Sequence, residues 1–165
     1  MKISLIGLAE GLHSLHFEEE PENCGIVAHP NLTNRIQIDV DLERRASRLI
    51  LRNTINTVGR FTCDRCLTEF DRTIVDTGRV VFTSDEELLA FSEDEVHVLE
   101  KDAREIDVTN DIRDLVLLAV PAKILCSEDC KGLCPHCGVN LNEETCLCGV
   151  RPLDPRWQAL QKLFN

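Results

Sequence analysis

Six of the chain's nine cysteines lie between residues 126 and 148, in the segment CSEDCKGLCPHCGVNLNEETCLC. Paired thiolates can bind a metal, exchange disulfides or act as nucleophiles. A tetrahedral zinc site needs four thiolates and usually takes two from each of two chain segments. Apart from Cys24, the cysteines form four close pairs, enough for two such sites: Cys63 with Cys66, Cys126 with Cys130, Cys134 with Cys137, and Cys146 with Cys148.

The segment CPHCG is the strongest indication of a metal. In a zinc knuckle, two cysteines three positions apart direct their sulfurs at one ion, and a glycine after the second cysteine adopts the positive φ of the tight turn. Gly138 occupies that position, and CLCG follows after eight intervening residues. We therefore predict one metal site that the tail can close by itself, formed by Cys134, Cys137, Cys146 and Cys148.

The remaining pairs predict a second site, formed by Cys63, Cys66, Cys126 and Cys130. This site requires a tertiary contact, because sixty positions separate Cys66 from Cys126. A regrouping stays open, with Cys126 and Cys130 joining the CPHC pair and the CLC pair joining CDRC. The chain would then bind one or two zinc ions, and spacing alone does not distinguish zinc from iron.

The chemistry of these sites favours structure over catalysis. Four thiolates around one ion leave no open position for water or substrate. CxxC is also the motif of thioredoxin-like enzymes, but there it opens a helix within a βαβ unit, whereas CDRC lies between β-like runs. The sequence contains no G-x-S-x-G, P-loop or H-E-x-x-H motif. We expect a protein that is not an enzyme, with redox chemistry at Cys63 and Cys66 as the alternative.

Length and charge limit the remaining possibilities. The 165 residues suffice for one domain, or for one domain and a small satellite. The sequence shows neither a secretory leader nor an apolar run long enough to cross a membrane, so we expect a cytoplasmic protein whose thiols stay reduced. The net charge of −11 argues against a surface devoted entirely to polyanions. Residues 42–66 nevertheless hold six arginines against two acids.

The elements that must position the cysteines are mostly strands. Residues 36–42, IQIDVDL, alternate apolar and polar side chains. Two runs rich in β-branched residues come next, one before CDRC and one after it. We predict an α+β fold, with a β-rich antiparallel N-terminal sheet, one apolar helix, a cysteine-rich zinc-knuckle module and a C-terminal helix. The predicted domains are 1–122, with an acidic loop at 84–106 and a closing helix at 109–120, and 123–165, the metal-binding module.

Three arginines are candidates for contact with nucleic acid. If residues 44–52 form one unbroken strand, Arg44, Arg48 and Arg52 share a face, with successive arginines about 13 Å apart. Such a row could contact phosphates. Exposed arginines are common, however, and a solvated strand face is the simpler interpretation.

Four segments in order resemble one family: CDRCLTEF, LAVPAKILC, EDCKGLCPHCGVNLNEETCLC and DPRWQALQKL. Together they cover residues 63–163 and resemble the YceD family of bacteria and plastids, the large ribosomal RNA subunit accumulation proteins. The resemblance implies a non-enzymatic role in making or accumulating large-subunit rRNA, together with metal binding, and it supplies no catalytic residues.

The expected partner is large-subunit rRNA or a ribosomal protein, since the acidic segment could meet a basic protein. We expect no small-molecule substrate and no membrane. Two other functions are retained as alternatives: a thiol redox protein built on CDRC, and a general zinc-ribbon nucleic-acid binder unrelated to ribosomes.

Overall fold

A computed structural model describes residues 1–27, 29–46, 48–84, 95–100 and 102–149. Its main feature is a five-stranded sheet in the order β2-β3-β4-β5-β6. The strands are β2 (Gly11–Glu19), β3 (Ile36–Arg45), β4 (Arg48–Thr62), β5 (Glu69–Thr83) and β6 (Glu95–Val98). Neighbouring strands are antiparallel except β5 and β6, which are parallel.

Two smaller elements complete the described fold. Strand β1 (Lys2–Ser4) pairs with β7 (Glu105–Asp107) in a separate two-stranded sheet. Helix α1 (Thr109–Ala119) packs against β5, β4 and a short 3-10 helix, Pro21–Cys24. Within the described residues, no helix has the length and apolarity needed to cross a membrane.

The core lies between α1 and one face of the sheet. Alternate side chains of β3, among them Ile36, Ile38 and Val40, point to this inner face and are buried. Helix α1 adds Ile112 and Val116, both fully buried. The opposite face carries mainly polar and charged side chains, together with Ile50 and Val81, and has no described element packed on it as α1 packs on the inner face.

These elements confirm an α+β fold with a mainly antiparallel sheet and one helix. Part of the acidic segment 84–106 differs from expectation, because Glu95–Val98 and Glu105–Asp107 are strands. Strand β6 is held in place by His97, whose Nε2 lies 2.7 Å from Asp111 Oδ1 on α1. Residues 85–94 and the predicted C-terminal helix lie outside the described residues.

The expected row of three arginines is wrong. Strand β3 ends at Arg45 and β4 begins at Arg48, so a hairpin turn interrupts residues 44–52. Arg44 lies on the inner side, where its Nη1 donates hydrogen bonds to the carbonyl oxygens of Leu5 (3.1 Å) and Leu8 (2.8 Å). Unpaired backbone carbonyls are costly to bury, and the long arginine stem reaches both of them. Arg44 is therefore a structural residue.

Asn53 offers a test of the core. It lies on β4, is 1% exposed, and its Oδ1 has no hydrogen-bond partner in the part of the chain that the structure describes. A buried, unpaired amide oxygen destabilises a protein by about 1–3 kcal/mol. We expect Asn53→Leu, which has a similar shape, to raise the free energy of unfolding in urea by about 1 kcal/mol. Asn56→Leu, on the exposed face of the same strand, should change it by less than about 0.5 kcal/mol. A loss of stability in Asn53→Leu would contradict this account.

Candidate metal centre

The loop between β4 and β5 is a tight CxxC turn. Its backbone closes with two hydrogen bonds: the N–H of Leu67 donates to Cys63 O, and the N–H of Cys63 donates to Thr68 O, both at 2.9 Å. Leu67 follows the second cysteine and has a φ of 59°, in the left-handed region. This geometry turns Cys63 and Cys66 toward the same side of the loop, at the end of the sheet.

The CPHC turn repeats the same backbone pattern. The N–H of Gly138 donates to Cys134 O at 2.9 Å, and the N–H of Cys134 donates to Val139 O at 2.8 Å. Gly138 has a φ of 75°, as the sequence predicted for a knuckle. The N–H of His136 points at Cys134 Sγ, 3.4 Å away, so His136 contributes its backbone to this turn. Both CxxC segments therefore share one turn geometry, with a positive φ at the residue after the second cysteine.

The first group of sulfurs, here called the inner cluster, contains Cys63, Cys66, Cys126 and Cys130. All four Sγ atoms lie within 4.8 Å of one another. Cys63 Sγ is 3.8 Å from Cys130 Sγ, and Cys66 Sγ is 3.6 Å from Cys126 Sγ. Only Cys126 is exposed. The cluster therefore joins the β4–β5 loop to the segment that follows α1.

The second group, the outer cluster, contains Cys134, Cys137, Cys146 and Cys148, again within 4.8 Å of one another. Cys146 Sγ lies 3.2 Å from Cys134 Sγ and 3.6 Å from Cys137 Sγ. Here only Cys134 is buried, and Cys137 and Cys148 are exposed. Leu147, between the last two ligands, is 97% exposed. The outer cluster is thus close to the surface, whereas the inner cluster is largely enclosed.

The sulfur separations fit a tetrahedral ion. With metal–sulfur bonds of about 2.3 Å, the edges of a tetrahedron of thiolates measure about 3.8 Å. The shortest sulfur separations, 3.2–3.8 Å, are near that value, and the remaining pairs lie within 4.8 Å. They are far from the bond of about 2.05 Å in a disulfide, and all nine cysteines are free. The donor set and its spacing suit zinc, and the same four thiolates could hold iron.

The protonation of the clusters is uneven. Burial raises the pKa of Cys63, but backbone N–H groups, first that of Cys66, outweigh it and lower that pKa to about 6. The hydrogen bond with Cys66 raises the pKa of Cys126 to about 12, and burial acts in the same direction. In the outer cluster, backbone N–H groups of its own turn lower the pKa of Cys134 to about 6, and the hydrogen bond with Cys134 raises that of Cys146 to about 12. Each cluster therefore combines a thiolate with a thiol that retains its proton until a cation replaces it.

Several contacts join the segment 130–142 to the CDRC turn and to the inner cluster. Arg65 Nη1 donates to Cys130 O at 2.8 Å, and the N–H of Leu133 donates to Arg65 O at 3.2 Å. Asn142 Nδ2 donates to Cys130 Sγ at 3.4 Å, and Asn142 Oδ1 accepts the N–H of Lys131 at 2.8 Å. Asn142 thus lies in the loop of the outer cluster while it supports a ligand of the inner one.

The structure places the eight predicted cysteines in the two groups that the sequence favoured, and not in the alternative grouping. Cys24 lies apart from them, fully buried in the apolar core. Sequence reasoning missed the roles of Arg65 and Asn142. No spacing pattern links either residue to Cys130, so only the tertiary contact shows them.

Similarity to known proteins identifies the family of this chain. Residues 51–164, which include both clusters, match a family described as "Large ribosomal RNA subunit accumulation protein YceD". The chain belongs to the YceD family. It is 30% identical over 155 residues to "Large ribosomal RNA subunit accumulation protein YCED homolog 1, chloroplastic" of Arabidopsis thaliana, covering 78% of this chain and 48% of that protein.

Two further relatives extend the comparison. The protein of the same name from Zea mays is 30% identical over 145 residues, which cover 70% of this chain and 49% of the maize protein. An uncharacterized protein of Mycobacterium bovis is 32% identical over 141 residues, which cover 79% of this chain and 62% of the mycobacterial protein. The chain therefore spans about half the length of its plant relatives. No solved structure matches it.

The CDRC and CPHC turns suggest a paired test, because Leu67 and Gly138 hold equivalent positions with positive φ. A residue with a Cβ is strained there by about 1–2 kcal/mol. Leu67 is 62% exposed, so little burial is lost when its side chain is removed. We expect Leu67→Gly to raise the free energy of unfolding by about 1 kcal/mol, and Gly138→Leu to lower it by at least as much. Urea unfolding at fixed zinc concentration measures both, and shifts of equal sign would contradict the equivalence.

Proposed function

We propose that this YceD-family chain is a non-enzymatic, zinc-stabilised factor that supports accumulation of large-subunit rRNA by binding that rRNA or a ribosomal protein. The observation that carries the metal part is the pair of four-sulfur clusters, each with its sulfurs within 4.8 Å. The ribosomal part rests on family membership and on the printed names of the plant relatives.

The residues of the two clusters would hold one ion each. A bound zinc ion supplies a fixed tetrahedral cross-link, worth on the order of 10 kcal/mol of apparent folding free energy. At the inner cluster this cross-link would secure residues 126–130 to the end of the sheet. At the outer cluster it would shape residues 134–148, which the structure describes as turns and loops with one isolated bridge, Leu133 with Asn140.

The proposal of a structural ion follows from the closed donor set. Four sulfurs fill the tetrahedron, so neither water nor substrate can reach the ion. The protein then acts through its surface, which explains why no catalytic residue is assigned. A cytoplasmic location stays a prediction from the sequence, in keeping with the reducing conditions that free cysteines require.

One observation favours the thiol-redox alternative. The lowered pKa of Cys63 is a property of reactive cysteines. Against it, Cys63 is fully buried and faces Cys130 Sγ at 3.8 Å, and CDRC joins two strands without opening a helix. A low thiol pKa also suits a metal ligand, which must be deprotonated to bind.

Metal content distinguishes these functions. We expect native mass spectrometry with elemental analysis to find two zinc ions per chain, because each cluster supplies a complete donor set. Cys130→Ser should reduce the content to one ion, while Cys24→Ala, outside both clusters, should retain two.

The matching measurement is alkylation by iodoacetamide. Cluster cysteines should resist it until a chelator or acid is added, since metal-bound thiolates are masked. A purified chain without metal, whose Cys63 and Cys66 react at once, would instead support the redox alternative.

The ribosomal role predicts a cellular phenotype. Cells depleted of the protein should contain less large-subunit rRNA relative to small-subunit rRNA, and the wild-type chain should restore the ratio. Cys63→Ser combined with Cys130→Ser should fail to restore it, while Cys24→Ala should succeed at equal protein abundance. RNA electrophoresis measures the ratio. An unchanged ratio in depleted cells would refute the ribosomal function and favour a general zinc-ribbon nucleic-acid binder.

A further inference from the structure

A groove of about 580 Å³ lies on the outer face of the sheet, where β3 turns into β4. We call it the arginine groove. Four guanidinium side chains line it, together with two carboxylates: Arg45, Arg48, Arg52 and Arg79, with Asp41 and Glu43. The groove therefore carries an excess of positive charge on a chain whose net charge is −11.

The strand register sets the arginines in two cross-strand pairs. Arg45 on β3 is directly opposite Arg48 on β4, and Arg52 on β4 is directly opposite Arg79 on β5. Members of a pair are on strands about 4.8 Å apart, and the pairs are separated by about 13 Å along β4. The register therefore brings Arg48 and Arg52 to one face of β4, each beside another arginine.

The two central guanidinium groups are not used by the described part of the fold. Glu43 accepts hydrogen bonds from Arg45, the neighbour of Arg48 in the register. Neither Arg48 nor Arg52 donates a side-chain hydrogen bond to another described residue. Asp41 is directly opposite Arg52 in the register, but its Oδ1 accepts the hydroxyl of Ser14 at 2.7 Å. Arg48 and Arg52 can therefore bind an external acceptor.

The chemistry of the groove selects between the two partners that the proposed function leaves open. Ribosomal proteins that neutralise rRNA are basic, and an arginine-lined groove repels them. Planar guanidinium forks match phosphate oxygens in pairs. Among the described residues, the remaining lining is aliphatic, from Leu12 and Ile50, and offers no aromatic ring on which a base could stack. Contacts here are consequently to phosphate and sugar, without reading of sequence.

We propose that the arginine groove binds the sugar–phosphate backbone of RNA, which names rRNA as the partner in the function proposed above and rests on it. Arg48 and Arg52 make the principal phosphate contacts. Sequence preference for ribosomal RNA must then arise elsewhere on the protein or from the shape of the RNA.

The test measures binding of the zinc-loaded full chain to a fluorescently labelled transcript of large-subunit rRNA across a series of salt concentrations. Removing both guanidinium groups in R48A/R52A should weaken binding by about tenfold or more and reduce the slope of log K against log salt by about 1.5, since each phosphate contact contributes about 0.7–0.9. Asp41→Asn should strengthen binding severalfold, because it removes a negative charge beside Arg52.

Arg60→Ala is the matched control. Arg60 lies on the same face of β4, about 26 Å beyond Arg52, and pairs with Glu69 at 2.9 Å. It should bind RNA as the wild type does. Equal binding by R48A/R52A and the wild type, an equal loss in Arg60→Ala, or wild-type binding only to a ribosomal protein would each overturn the inference.

The cellular rRNA ratio separates this inference from the proposed function. If depletion lowers large-subunit rRNA and R48A/R52A restores it fully, the groove inference is wrong while the ribosomal role stands. If depletion leaves the ratio unchanged but R48A/R52A still loses RNA affinity, the groove binds RNA and the ribosomal role is wrong. Circular dichroism of R48A/R52A must match the wild type in either case.

Discussion

Four thiols held within 4.8 Å of one another cannot all lose their protons without a cation among them, because like charges at that distance repel strongly. The fold nevertheless turns backbone N–H groups toward particular sulfurs, which favours thiolate at Cys63 and Cys134. Much of the arrangement of residues 123–149 depends on how the repulsion between sulfurs is balanced by these N–H groups. Apart from the clusters, that segment is held by polar contacts such as those of Arg65 and Asn142 and by apolar packing of Ile124, Leu125 and Leu133.

The apolar core, the cysteine clusters and the arginine groove occupy different parts of the fold. The sheet has a conventional apolar core under α1, and its β4–β5 hairpin extends well beyond the hairpin of β3 and β4 to carry CDRC at its far end. The arginine groove lies at the opposite end of β4, beside the β3–β4 turn. The CDRC cysteines and the arginine groove thus lie at opposite ends of the same long strand.

The sequence predicted what depends on local spacing. The CPHCG turn follows from two cysteines and one glycine, and the alternation of β3 from its first seven residues. It could not predict the position of the β3–β4 turn, where Ala46 follows two arginines without a glycine, proline or asparagine to mark it. That omission misplaced Arg44. The parallel pairing of β6 and the contact of Asn142 with Cys130 are tertiary, and no short pattern encodes them.

The inner cluster joins cysteines sixty positions apart, whereas Cys137 and Cys146 of the outer cluster are nine apart. Loop-closure entropy grows only by about 0.6 kcal/mol for each doubling of length, so the longer loop costs less than about 2 kcal/mol more. The larger difference between the two clusters lies in which parts of the fold each one needs. Residues 134–148 contain a complete donor set, but Cys63 and Cys66 converge on Cys126 and Cys130 only when the β4–β5 hairpin is in register and α1 is docked. An ion at the inner cluster would therefore link the sheet to the segment after α1, whereas an ion at the outer cluster would link only residues 134–148 to one another.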